Sequence, residues 1–157
     1  MKMHNRSTNK WILLVDDDPL EGEILRRCVC ASAGWTLVQV SAPDQIKGCA
    51  RPSSAPLVVL LDVQIPKWDL PLSAIAVRES VQSPIIIYTG IRDPAKLVDL
   101  ARSYPGLISN VVAKGSNPLT VAHTIRATAQ RSRDTRHSAS TKASARAFYQ
   151  RLCLARQ

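Results

Sequence analysis

The chain has 157 residues, of which 45% are hydrophobic and only 4% aromatic, and this length and composition allow one domain with an aliphatic core. No apolar run is long enough to span a membrane, and the run at residues 11–15 is too short for a signal peptide, so we expect a cytoplasmic protein. The net charge of +9 lies at the chain ends, because residues 11–130 carry eleven basic and eleven acidic residues; this indicates a neutral domain between a basic N-terminal extension at 1–10 and a basic linker or tail at 131–157.

The first predicted strand is the apolar run at residues 11–15, and three consecutive acids, residues 16–18, follow it directly. Asp18 and Pro19 then favour the start of a helix, with Asp18 as its N-cap. Apolar residues at helical spacing continue this helix to near Gly34, where we expect it to end.

A second strand is predicted at residues 35–40, and a short helix then begins at Ser41 and ends at the Pro/Ser cluster of residues 52–56. Five apolar residues, 57–61, come next and end at Asp62. Such a run is typical of a strand that is buried on both faces of a parallel sheet.

The second half of the chain continues to alternate helices and strands. The predicted elements are a loop at 63–71, a third helix from Leu72 to about Val81, a fourth strand at 84–89 that ends in Thr89, a helix opened by Asp93-Pro94, a fifth strand at 111–113 that ends at Lys114, and a last helix from Asn117-Pro118. Strands alternating with helices in this way predict an α/β domain with a doubly wound, five-stranded parallel sheet.

The basic tail leaves two interpretations open. Its Ser/Arg/Thr-rich part, residues 131–144, predicts a disordered linker, and residues 145–155 predict a short basic helix. A frayed and solvated tail is the simpler interpretation. The alternative is docking through charge onto a partner protein or nucleic acid, which would depend strongly on salt.

Polar side chains stand at the carboxyl ends of four of the predicted strands. Because these ends share one edge of a parallel sheet, we expect them to converge there: Asp16, Asp17, Asp62, Thr89 and Lys114. Neighbouring carboxylates repel one another, and an all-oxygen cluster of this kind suits Mg²⁺. An acid left partly free can attack phosphorus, while the metal, the hydroxyl and the ammonium each take one phosphoryl oxygen. The sequence therefore predicts an aspartyl-phosphate site.

Four motifs, taken in this order and at these spacings, resemble the receiver domain of two-component response regulators. They are residues 12–19, residues 58–62 with Pro66 four positions on, residues 84–90 and residues 112–114. The resemblance covers residues 11–130, nearly the whole predicted domain. It implies a flavodoxin-like fold with strand order 2-1-3-4-5, in a single-domain, chemotaxis-regulator-like receiver.

The resemblance also implies a role for each polar residue at this edge. Asp62 would accept a phosphoryl group from a phosphohistidine on a sensor histidine kinase or a histidine phosphotransfer protein. Mg²⁺ would be bound by Asp16, Asp17, Asp62 and the backbone carbonyl of Gln64. Thr89 and Lys114 would contact the phosphoryl oxygens. The signal would pass to a downstream protein target through altered interaction, and a homodimer is left open.

Three features depart from the usual receiver pattern. Val111 takes the place of the aromatic residue that receivers usually carry three positions before the lysine. Residues 115–117 separate Lys114 from Pro118, although proline usually follows the lysine at once. The loop after Asp62 lacks the usual glycine pair. Val111 questions the usual hydroxyl-plus-aromatic signalling step rather than phosphorylation itself, and the insert at 115–117 predicts a different setting of the last loop.

The leading hypothesis is a phosphorylation-controlled receiver that is not an enzyme. Ile91, two residues beyond Thr89, is apolar and cannot orient attacking water, so we expect slow self-dephosphorylation. One alternative is a small phosphatase of the haloacid-dehalogenase type, because Asp16-x-Asp18 resembles that family's nucleophile motif. The other is a degenerate receiver-like binding module that is not phosphorylated, which the departures at Val111 and Gly115 motivate.

Overall fold

Five parallel strands form one sheet in the computed structural model, which describes the backbone of residues 10–154 and the side chains of residues 10–137. The strands are β1 (Trp11–Val15), β2 (Thr36–Val40), β3 (Val59–Leu61), β4 (Ile85–Thr89) and β5 (Asn110–Ala113). Their spatial order is β2-β1-β3-β4-β5, and every neighbouring pair is parallel. The predicted flavodoxin-like sheet is thereby confirmed. Most of the predicted N-terminal extension, residues 1–9, lies outside the described residues.

In the described chain, α-helices connect the strands at three points, and one further helix follows β5. They are α1 (Pro19–Leu25), α2 (Ala31–Ala33), α3 (Leu70–Ser80), α4 (Pro94–Ser103) and α5 (Pro118–Leu154). A π-helical segment, Arg26–Cys30, joins α1 to α2. Together they form one continuous connection that ends at Gly34, where a φ of +67° favours glycine.

Aspartate side chains cap three of these helices. Asp18 accepts a hydrogen bond from the Leu20 backbone N–H at 2.9 Å, and Asp93 accepts one from Ala95 at 3.0 Å. Asp69 caps α3 by accepting from the Leu72 N–H at 2.9 Å. Because of this cap, α3 begins at Leu70, inside the segment 63–71 that the sequence assigned to a loop.

The core has two layers, one on each face of the sheet. Alternate residues of β1 divide between them: Ile12 and Leu14 pack with residues of α1 and α5, and Leu13 and Val15 pack with residues of α3. All three residues of β3 are fully buried, as expected for the central strand of a sheet covered on both faces. This burial places the strand ends, and the acids that follow them, on a rigid support.

The connection from β2 to β3 differs from its prediction. In place of the expected short helix there is a single turn of 3₁₀ helix, Pro43–Gln45, followed by turns and an extended segment. Gly48 lies within this segment and disfavours helix, and the Pro/Ser cluster at residues 52–56 prevents the turn from extending further. Ile46, which is fully buried against the α3 face of the sheet, supplies apolar cover there.

The last helix is longer than the sequence predicts. Residues 131–144 were expected to form a disordered linker, but the backbone of α5 is helical without a break from Pro118 to Leu154. The physical reason is that residues 119–154 contain neither glycine nor proline and are rich in alanine and arginine, which favour helix. Within residues 10–154, no helix has the length and apolar character needed to cross a membrane.

We expect Ile46→Ala to lower the free energy of unfolding by about 2–4 kcal/mol, because it removes a fully buried side chain and leaves a cavity. Urea denaturation measures this change. The neighbouring Lys47→Ala is the control, since Lys47 is exposed and its loss should cost less than about 0.5 kcal/mol. Equal effects of the two substitutions would show that this connection does not pack as described.

Candidate functional site

Three carboxylates meet at the carboxyl edge of the sheet. Asp16 and Asp17 follow β1 and Asp62 follows β3, and one carboxylate oxygen from each lies within 4.8 Å of the other two. Asp16 is completely buried and Asp62 is 4% exposed, whereas Asp17 is open to solvent. The predicted convergence of these acids is therefore what the fold produces.

Lys114 supplies the positive charge that faces these acids. Its Nζ lies 2.7 Å from Asp16 Oδ2 and 3.2 Å from Asp62 Oδ2. The backbone N–H of Lys114 donates to the Thr89 carbonyl at 2.6 Å, which ties the end of β5 to the end of β4. Gly115 follows with a φ of +78°, so the chain turns away immediately after the lysine.

Burial and charge shift the pKa values of this ion pair. Burial raises the pKa of the Asp16 carboxyl, although the hydrogen bond and charge of Lys114 oppose the shift. Burial would lower the pKa of Lys114, but its hydrogen bond to Asp16 and the charges of Asp16 and Asp62 outweigh that effect, so the pKa of Lys114 is raised. Lys114 is consequently an ammonium at neutral pH.

The positive charge of Lys114 does not balance the negative charge of the acidic cluster, so a further cation would be favourable here. Three carboxylates face one ammonium, and Asp62 Oδ1 is buried without a hydrogen-bond partner among the described residues. A buried carboxylate oxygen with no partner is costly, and a divalent cation would satisfy it. The donors are all oxygens, which is the set that Mg²⁺ prefers. The residues present therefore fit the predicted metal.

Thr89 and Gln64 complete the predicted set. Thr89 ends β4, is fully buried, and accepts a hydrogen bond on its Oγ1 from the Ile91 N–H at 3.2 Å. Because β4 lies between β3 and β5, Thr89 stands at the same edge of the sheet as Asp62 and Lys114. Gln64 is exposed in the loop after β3, and the role of its carbonyl as a metal ligand stays a prediction.

Two residues that support the acids were not found from the sequence. Gln39 on β2 donates its Nε2 to the carbonyls of Asp16 and Asp18, at 3.0 and 2.9 Å, and so holds the loop that carries the acids. Gly22 on α1 leaves space for this side chain, because a Cβ there would lie 1.8 Å from Gln39 Oε1. The available signals were weak: a polar residue within a strand and a glycine within a helix.

The departures near Lys114 have a definite structure. The insert at 115–117 forms a turn in which the Ser116 hydroxyl donates to the Ala113 carbonyl at 2.7 Å. Asn117 then caps α5 by accepting from the Leu119 N–H at 2.9 Å. Val111, in the place of the usual aromatic, is partly buried and packs against the core on the α3 face. The insert thus leaves the lysine free to reach both buried acids.

Several solved structures that resemble this chain are receiver domains. A response regulator receiver protein from Burkholderia phymatum is 25% identical, with a TM-score of 0.58, over 77% of this chain and 95% of that chain. A CheY-like receiver domain protein from Methanospirillum hungatei JF-1 is 17% identical, with a TM-score of 0.60, over 80% and 98% of the two chains. The adenylate cyclase structure from Rhodopirellula baltica is 18% identical, with a TM-score of 0.66, over 86% and 98%. No protein-family model and no curated protein sequence matches the chain.

The chain therefore has the fold of response regulator receiver domains, and the resemblance inferred from its four motifs is confirmed. The fold and the acidic cluster together support a receiver domain in two-component signalling. Asp16, Asp17 and Asp62 form a candidate metal cluster within this fold.

We expect Lys114→Met to raise the pKa of Asp16 further, because burial and the charge of Asp62 then act without an opposing cation. An aspartate whose folded-state pKa exceeds its unfolded value destabilises the fold as pH rises between the two values. The variant should therefore lose stability from mildly acid to neutral pH more steeply than the wild type. Carbon-detected NMR titration of the carboxyl groups with metal chelated, and urea denaturation across the same pH range, measure both effects.

Lys96→Met is the matched control, since Lys96 is exposed on α4 and makes no ion pair among residues 10–137. An Asp16 titration that is the same in both variants and the wild type would contradict the assigned electrostatics.

Proposed function

We propose that this protein is a phosphorylation-controlled response regulator receiver that accepts a phosphoryl group on Asp62. The observation that carries the proposal is the convergence of three carboxylates, two of which contact the partly buried ammonium of Lys114, with Nζ 3.2 Å from Asp62 Oδ2. A sensor histidine kinase or histidine phosphotransfer protein would be the donor. The receiver fold of the structural neighbours supports this donor class.

Phosphoryl transfer to Asp62 would give separate roles to the Asp62 carboxylate, the bound metal and the Lys114 ammonium. A carboxylate oxygen of Asp62 forms the new bond to phosphorus while the phosphorus–nitrogen bond of the phosphohistidine breaks, and its electron pair returns to the imidazole. Mg²⁺, bound by Asp16, Asp17, Asp62 and the Gln64 carbonyl, would supply positive charge to the phosphoryl oxygens. Lys114 would exchange its contact with Asp62 for a contact with the transferred group.

Thr89 would contribute the remaining hydrogen bond. Its Oγ1 already accepts from the Ile91 N–H at 3.2 Å, which leaves the hydroxyl proton free to be donated to a phosphoryl oxygen. Movement of Thr89 and Lys114 toward the phosphoryl group would disturb the ends of β4 and β5, which their backbones join at 2.6 Å. The altered surface beside these strands would change the interaction with a downstream protein target.

A haloacid-dehalogenase-type phosphatase would use Asp18 in its nucleophile motif, whereas here Asp18 caps a helix. Its carboxylate is exposed and caps α1 through the Leu20 N–H at 2.9 Å, while Asp62 and Lys114 stand together with Asp16. A receiver would use Asp16, Asp62 and Lys114 in phosphoryl transfer. The phosphatase alternative leaves Asp62 without a role.

We expect a small phosphoryl donor, such as phosphoramidate with Mg²⁺, to add one phosphoryl group to the wild-type protein, as measured by intact mass. Asp62→Asn should abolish the addition, because an amide is a poor nucleophile toward phosphorus. Asp99→Asn is the matched control, since Asp99 is an exposed aspartate on α4. Chelation of Mg²⁺ should also prevent the addition in the wild type.

Three results would contradict the proposal. Absence of any uptake, together with absence of Mg²⁺ binding, would favour the degenerate binding module. Uptake that survives Asp62→Asn would place the acceptor elsewhere. Steady hydrolysis of a phosphate ester that depends on Asp16 but not on Asp62 would replace the receiver by the phosphatase.

We expect Ile91→Glu to shorten the half-life of the phosphorylated protein, because a carboxylate at this partly buried position can orient attacking water and an isoleucine cannot. The rate of phosphate release after removal of the donor measures the half-life. Ala95→Glu, an exposed position in the first turn of α4, controls for added charge. Equal lifetimes in the two variants would mean that Ile91 does not limit access of water.

A further inference from the structure

A cleft of about 340 Å³ lies at the end of the sheet opposite the acids. Pro84 and Ser109, which directly precede β4 and β5, lie in its wall, so the cleft opens at the amino edge. Its wall includes three arginines and three hydroxyls of α5: Arg78, Arg131, Arg136, Thr128, Ser132 and Thr135. None of the residues in the wall is acidic.

The three guanidinium groups are held by neutral acceptors rather than by carboxylates. Arg78 Nη2 donates to the carbonyls of Gly106 and Leu107, both at 3.3 Å. Arg131 Nη2 donates to the Thr128 hydroxyl at 3.4 Å, and Arg136 Nη2 donates to the Gln82 carbonyl. No ion pair neutralises any of the three among residues 10–137.

Positive charge in this cleft is therefore oriented but not compensated. Each guanidinium has five N–H donors, and the contacts above use only one nitrogen of each. Arg78 Nε is buried and has no hydrogen-bond partner within the described part of the chain. Guanidinium donors without an acidic partner, with hydroxyls beside them, are the features with which proteins bind phosphate groups.

We propose that this cleft binds a phosphate group, carried either by a small phosphorylated molecule or by a nucleic-acid backbone. Its volume lies within the range of small-ligand sites, roughly 300–1,000 Å³. A second cleft shares Ser132 and Arg136 with it and adds Arg133, so positive charge continues along α5. This site is separate from Asp62 and requires no phosphorylation.

The test uses the full chain and two probes, inorganic pyrophosphate and a short fluorescein-labelled single-stranded DNA, at one fixed ionic strength. The double substitution Arg131→Gln with Arg136→Gln should weaken binding by roughly tenfold or more, because it removes two charge-assisted contacts. Calorimetry measures pyrophosphate binding and fluorescence anisotropy measures DNA binding. Both arginines are exposed, so the variant should fold, and thermal unfolding checks this.

The matched control is Arg26→Gln with Arg27→Gln, which removes the same charge from arginines that pair with Glu23. This control should leave binding within about twofold. Pyrophosphate binding that depends on Arg131 and Arg136 would identify a small phosphorylated ligand. DNA binding with that dependence, without pyrophosphate binding, would identify a nucleic acid. Absence of binding to both probes, or equal losses in the two double variants, would overturn the proposal.

Discussion

The contact on which this site depends is the ammonium of Lys114 between the buried carboxylates of Asp16 and Asp62. The distances of 2.7 and 3.2 Å join the ends of β1, β3 and β5 through a single side chain. Without that cation, two carboxylates that are almost fully buried would face each other with no opposing charge. One ammonium does not balance three carboxylates, so the cluster keeps a net negative charge that favours a metal cation, and the ammonium is placed where it can contact a phosphoryl group on Asp62.

Much of the fold could be predicted because local signals and burial agree. The apolar runs before Asp16 and Asp62 are typical of strands buried on both faces of a parallel sheet, and such a sheet brings its carboxyl ends to one edge. Asp18 and Asp93, each followed by proline, mark helix starts that the structure shows at the same residues. The residues that converge in the site could be found for the same reason, since each lies at the carboxyl end of a strand or within two residues of it.

The remaining features depend on contacts between distant residues, which periodicity does not reveal. Gln39 supports the acids by reaching across from β2, and only the absence of a Cβ at Gly22 makes room for it. Ile46 is buried although it lies outside any regular helix or strand, because it covers the sheet where no helix forms. The arginines of the amino-edge cleft come from α3 and α5, so their proximity follows from tertiary packing.

The length of α5 gives the molecule a mechanical property. Its 37 residues span roughly 55 Å, whereas a five-residue strand spans about 17 Å. Val121 and Ile125 anchor its first turns on the sheet, and the helix begins four residues after Lys114. A tilt of about 5° about these first turns would displace the far end by roughly 5 Å, and it would have to break the contact of Arg136 with the Gln82 carbonyl, so that contact opposes any such movement that starts at Lys114.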